Sequence, residues 1–121
     1  MINFRLFKRS FAHAFDGLKY IFAQEQNFRI QVIVGLIVLI LAFCFPLSIN
    51  QKITIILMIG LVLILEMLNS AIERTIDLLR PKIDSGAAIV KKTMSGLVLL
   101  AVVTSVIVGF LIFYPFIFYY F

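Results

Sequence analysis

A chain of 121 residues in which 63% of side chains are hydrophobic and 14% are charged, with a mean hydropathy of +1.11, is too apolar for water. Soluble domains carry about 45–50% apolar and about 25% charged residues, so the composition excludes an ordinary soluble domain and points to a bilayer as the solvent. The net charge of +5 comes from cations at the edges of apolar runs, a pattern that suits an anionic membrane surface or phosphates and not nucleic acid. Cys44 can form no intrachain disulfide and reads as a small membrane-facing residue. No cleavable signal peptide is expected, because the first long apolar run begins only after about 30 residues and lacks a small-residue cleavage site.

Residues 1–29 form an amphipathic segment. Phe4, Phe7, Phe11, Phe15, Leu18 and Phe22 recur at steps of three and four, one stripe of a helix. Arg5, Lys8, Arg9, Asp16 and Lys19 mostly lie off that stripe. The pattern predicts a helix in the membrane interface, apolar face down, with His13 as a surface residue. The next stripe position is occupied by Glu25, a carboxylate on an apolar face.

The first membrane span is predicted at 30–49, IQVIVGLIVLILAFCFPLSI, about 20 residues and roughly 30 Å as a helix, with Pro46 near its end. A short turn at SINQK follows. The second span covers 53–79 and stops before Pro81. Residues 80–93 make a polar connection that can partly begin the next helix. The third span covers 94–114, after which Pro115 and the aromatic tail FIFYYF reach the far interface. The expected fold is all-α in a single membrane domain over 1–121: one interfacial helix and three transmembrane helices.

Cations set the orientation. Arg5, Lys8, Arg9, Lys19 and Arg29 precede the first span; Arg74, Arg80, Lys82, Lys91 and Lys92 flank the second connection; the first turn has only Lys52 and the C-terminal tail none. The positive-inside rule places the N-terminus and the second connection in the cytoplasm and the C-terminus outside.

At about 100° per residue, Glu66, Asn69, Glu73 and Asp77 fall within about 80° of one another and form a polar stripe on the second span. Glu66 lies roughly 20 Å from the outer side and about 10 Å from the inner edge. A charge in lipid costs several kcal/mol, so such residues face protein, water or a ligand. Asp77 reads most simply as a solvated ion pair with Arg74 or Arg80, and Asn69 can serve as glue between helices. Glu66 and Glu73 resist so plain an account. Carboxylates and cations at a cytoplasmic membrane edge suit a divalent metal with polyphosphate: Mg²⁺ takes one or two carboxylates and fills its other positions with phosphate oxygens and water. Lys82, Lys91 and Lys92 can balance phosphate charge, and a remaining carboxylate can accept the proton of a lipid hydroxyl. Neither GxxxxGK[ST] nor GxGxxG occurs, which argues against the common nucleotide-binding folds.

The run ILEMLNSAIERTID resembles the signature of the prokaryotic diacylglycerol kinase and undecaprenol kinase family, approximately E-x-x-N-[ST]-A-I-E-x-x-x-D. GLKYIFAQEQNFRI is similar to that family's E-x-x-x-R region, which falls on Glu25 and Arg29. Spacings from Glu25 to Glu66 and from Glu73 to Lys91 match without gaps. The resemblance implies a small lipid kinase of the bacterial inner membrane, a homotrimer with active sites at the cytoplasmic interface between neighbouring subunits. Carried over, Glu66 is the general base, Glu25 and Glu73 hold Mg²⁺ with ATP, and Asn69 and Lys91 belong to the ATP site. Asp77 recurs in the motif without an assigned role. The resemblance implies diacylglycerol or undecaprenol as the substrate and does not choose between them.

One departure stands out. The family usually has Lys-Asp where this chain has Lys91-Lys92, so a cation replaces an acid of the nucleotide site. A charge reversal about 4 Å from phosphate or metal is worth 1 to several kcal/mol, depending on the local dielectric. The alternative expectation is therefore a diverged member with weak or no kinase activity that binds nucleotide or lipid, or has a structural role.

Overall fold

The computed structural model describes residues 1–79 and 85–120, with Tyr120 described in its backbone only. The described residues form four helices: α1 (Phe4–Gln24), α2 (Gln26–Cys44), α3 (Ile49–Leu79) and α4 (Ser85–Tyr120). No strand occurs among the described residues. The α2, α3 and α4 helices are each long and apolar enough to cross a membrane. The central member is α3, which packs against both α2 and α4, while α1 packs on α2.

Helix α1 begins at Asn3, whose Oδ1 accepts the backbone N–H groups of Arg5 at 3.0 Å and Leu6 at 3.4 Å, an N-cap for two otherwise unpaired donors. Its phenylalanine stripe is exposed along its length, and Ile21 is its one buried residue. No other part of the described chain covers the stripe, as suits a helix whose apolar face meets lipid.

The amphipathic helix does not run through to 29. It breaks at Glu25, which has extended backbone (φ −110°, ψ 109°) and caps both α1 and α2. Arg29 explains the break. Its Nη1 reaches back to donate to the carbonyls of Phe22 at 3.0 Å and Ala23 at 2.8 Å, closing α1 with a cation at its C-terminus. Glu25 thus sits in a joint and not on the apolar stripe of a continuing helix.

The first turn lies at 45–48, upstream of the expected SINQK. Phe45 caps α2 through its N–H to the Leu41 carbonyl at 3.0 Å, and Leu47 N–H donates to the Phe45 carbonyl at 2.8 Å across Pro46. Ser48 and Gln51 then form a reciprocal capping box: Ser48 N–H donates to Gln51 Oε1 at 2.9 Å and Gln51 N–H to Ser48 Oγ at 3.2 Å. That pair starts α3 at Ile49, four residues before the expected 53. Beside the turn, Ala42, Leu47, Ile55 and Phe113 form a buried cluster, and Phe45 packs edge-on to Phe113 and stacked on Phe116.

Helix α4 begins at Ser85, so Lys91 and Lys92 stand on a helix and not in a connection. It also continues past Pro115, where the third span was expected to stop. Proline removes one backbone bond but is tolerated in apolar helices whose neighbours hold the chain. Phe110, Tyr114 and Phe118 form a ladder at four-residue spacing across it, with centroids 5.5 and 4.6 Å apart. Arg80, Pro81 and Lys82, expected to end the second span and add cations, lie outside the described residues.

Candidate functional site

The polar stripe of α3 is a gradient of exposure. Glu66 is buried at 3% exposure, Asn69 is half-buried, and Glu73 and Asp77 are exposed. Seven residues of helix separate Glu66 from Glu73, about 10 Å along the axis. One helix therefore carries carboxylates from membrane depth to its wet end.

Glu66 is covered within the chain. Helix α2 supplies Gln31, whose Nε2 donates to Glu66 Oε2 at 3.3 Å. The chain's own α2 therefore covers Glu66, which is 3% exposed without any second subunit. Gln31 carries no role in the sequence reading, yet it is the one polar side chain in the run from Ile30 to Phe43. That isolation was the available signal.

The joint between α1 and α2 brings Glu25 to α3. Arg74 Nη2 donates to Glu25 Oε1 at 2.8 Å, and Nη1 donates to the Tyr20 hydroxyl at 3.0 Å. The Arg74 guanidinium also lies over the Tyr20 ring, 4.9 Å from its centre. Arg74 therefore does not pair with Asp77, as the sequence allowed. Asp77 pairs instead with Lys91, which ties α3 to α4. Glu25 and Glu73 both lie within electrostatic reach of Glu66, and Glu73 also acts on Lys91. Lys92 is exposed on α4, and Arg29 is spent on the end of α1.

Glu25, Glu66, Glu73, Lys91 and Asp77 are thus drawn toward one end of the bundle. Among the described residues no three of His, Cys, Asp and Glu form a group that could hold a metal by itself. What is present is hard carboxylate oxygen with cations beside it. That donor set fits Mg²⁺ carried by a nucleotide, since phosphate and water then complete the shell. It does not fit a resident ion caged by protein alone.

Beyond Glu66 toward the first turn, an apolar groove of about 640 Å³ opens among α2, α3 and α4. Val34, Val38, Met58, Val62, Val102 and Phe110 line it, and Gln31 is the second of its α2 lining residues, after Ile30. The last α3 residue of the lining, Leu63, is one turn short of Glu66. Gln31 Oε1 is buried without a partner among the described residues, so an unused acceptor lies where the groove meets the carboxylate. The arrangement can take a molecule with a long apolar tail and a hydroxyl head.

Residues 12–113 match the family model described as prokaryotic diacylglycerol kinase. The chain is similar to an undecaprenol kinase of Bacillus subtilis (strain 168), 39% identical over 109 residues that cover 90% of this chain and 89% of the relative. It is also similar to a diacylglycerol kinase of Synechocystis sp. (strain ATCC 27184 / PCC 6803 / Kazusa), 39% identical over 101 residues, 83% of this chain and 58% of the relative.

Proposed function

The chain belongs to the prokaryotic diacylglycerol kinase family and is a membrane lipid kinase; from that premise we propose that it transfers the γ-phosphate of ATP to the hydroxyl of diacylglycerol or undecaprenol at the cytoplasmic face of the bacterial inner membrane. The observation that carries the reading is Glu66: a carboxylate 3% exposed on a membrane-spanning helix, with an apolar groove on one side and two further carboxylates on the other.

Each residue then has a task. Glu66 accepts the proton of the lipid hydroxyl as its oxygen bonds to the γ-phosphorus and the bond to the β-phosphate oxygen breaks. Gln31 holds the Glu66 carboxylate in place, and the lipid tail lies along the groove. Glu25 and Glu73 would hold Mg²⁺, which, when bound with ATP, neutralises phosphate charge. Lys91 leaves Asp77 for the phosphates, and Asp77 keeps that lysine placed until they arrive. Asn69 faces the nucleotide between Glu66 and Glu73. A homotrimer is the proposed working unit, with a neighbour covering the Glu73 side, which one chain leaves exposed.

Phosphate transfer from labelled ATP to each of the two lipids, side by side in liposomes, tests the reading. Transfer to either lipid that is lost in Glu66→Gln supports it; equal rates in the two proteins would remove Glu66 as the base. The alternative, a member with weak or no activity, draws on Lys92, exposed on α4 beside Lys91. An inactive wild type that gains activity with Lys92→Asp would favour it.

A further inference from the structure

We infer that Arg74 is a phosphate-binding residue of the nucleotide site, held on Glu25 until ATP arrives. The inference rests on the reading of Glu25 as a carboxylate for the metal of the nucleotide. The guanidinium offers a planar fork of donors that matches phosphate in two-point contacts. In this structure Nη2 is on Glu25, Nη1 is on Tyr20, and Nε is buried with no partner among the described residues. The side-on edge of the fork, Nε with Nη2, therefore has one donor on Glu25 and one unused, at the carboxylate on which the nucleotide's metal would sit.

Glu25 Oε1 cannot serve Arg74 and a divalent ion at full strength together. With Glu25 engaged by a divalent ion, the Arg74 guanidinium would be released from it and kept in place by the Tyr20 ring and hydroxyl. Phosphate oxygens carried in with that ion would lie beside the freed guanidinium. Charge balances in both states: carboxylate with guanidinium before, and carboxylate with metal and guanidinium with phosphate after. The competing account is that Arg74 only ties α1 to α3. The two accounts differ over lysine, which keeps the charge but cannot bridge Tyr20 and Glu25 as the fork does.

The test uses the full chain in lipid nanodiscs. Calorimetric titration with Mg·ATP is done on wild type, Arg74→Lys and Arg74→Gln, with thermal unfolding of each and KM for ATP and for lipid. The expected result is binding of Mg·ATP weakened by about 10-fold or more in Arg74→Gln, the scale of a lost charge-assisted contact. KM for ATP rises with it and KM for lipid does not, while Arg74→Lys, which keeps the charge and loses the fork, recovers part of the binding. In Glu25→Gln, which frees Arg74, metal-free ATP binds more tightly than to wild type, and adding Arg74→Gln abolishes that gain. Wild-type affinity in Arg74→Gln overturns the inference alone. So does a lysine variant as impaired as the glutamine one, with equal loss of thermal stability in both. A wild type that binds no Mg·ATP overturns the kinase reading and the inference together.

Discussion

Glu66 and Gln31 meet across two helices at membrane depth, where a carboxylate has neither water nor lipid to stabilise it well. Glu66→Gln replaces a buried charge by an amide of the same shape. It is expected to fold with equal or higher thermal stability and to lose about 10²–10⁴-fold in kcat, the range for a missing general base. A melting curve beside a phosphate-transfer assay checks both halves; an active variant would place the base elsewhere. Gln31→Leu removes the donor and leaves the base present but loosely held. Its kcat should fall by about 10-fold, the scale of one hydrogen bond to a charged group, with KM for ATP unchanged. A rise in KM for ATP would mean that Gln31 belongs to the nucleotide end. The stripe of Glu66, Asn69, Glu73 and Asp77 was legible in the sequence because helical arithmetic is local. The pairs Gln31–Glu66, Arg74–Glu25 and Lys91–Asp77 were not, since each joins two helices whose rotation about one another no spacing fixes.

Helices were legible as helices, through their apolar runs and the phenylalanine stripe, but their ends were decided by single polar contacts. Ser48 and Gln51 carry an S-x-x-Q capping pattern that a reading for turns passes over, and it moves the start of α3 to Ile49. Arg29 breaks α1 from α2 because its side chain reaches carbonyls six and seven residues back, a contact outside any periodic pattern. Arg29→Ala should free the end of α1 and let Glu25 drift from α3. Hydrogen exchange of the amides near 22–26 should quicken while those of the α3 core stay protected, and unchanged exchange would show that the joint does not depend on Arg29. Packing between elements has its own pinch point at Gly35. A Cβ there would lie 2.9 Å from Ile59 Cγ2, on a side chain stiff at its branch. Gly35→Val should force α2 off α3 and cost about 1–3 kcal/mol, read as a lower melting temperature in detergent. Ile59→Ala in the same chain should restore part of it.

Across the whole molecule, charge is divided between two ends. Arg29, Arg74, Lys91 and Lys92 stand at the end where α1 joins α2 and α4 begins, while Lys52 lies by the opposite turn, over the Phe43 ring at 5.2 Å. The positive-inside rule reads the first end as cytoplasmic. The proposed chemistry requires the same sign, because Glu25, Glu73 and Lys91 face that end and ATP is supplied from the cytoplasm. Two labelling sites follow in a Cys44→Ser background: Asn50→Cys at the start of α3 and Ser85→Cys at the start of α4, both exposed. A membrane-impermeant maleimide applied to intact cells should label Asn50→Cys and leave Ser85→Cys unreacted until the membrane is opened. The reverse pattern would turn the nucleotide carboxylates away from ATP. Orientation and activity would then fail together, since an unaltered Glu66 would lie within reach of a lipid hydroxyl with no phosphate donor on its side of the membrane.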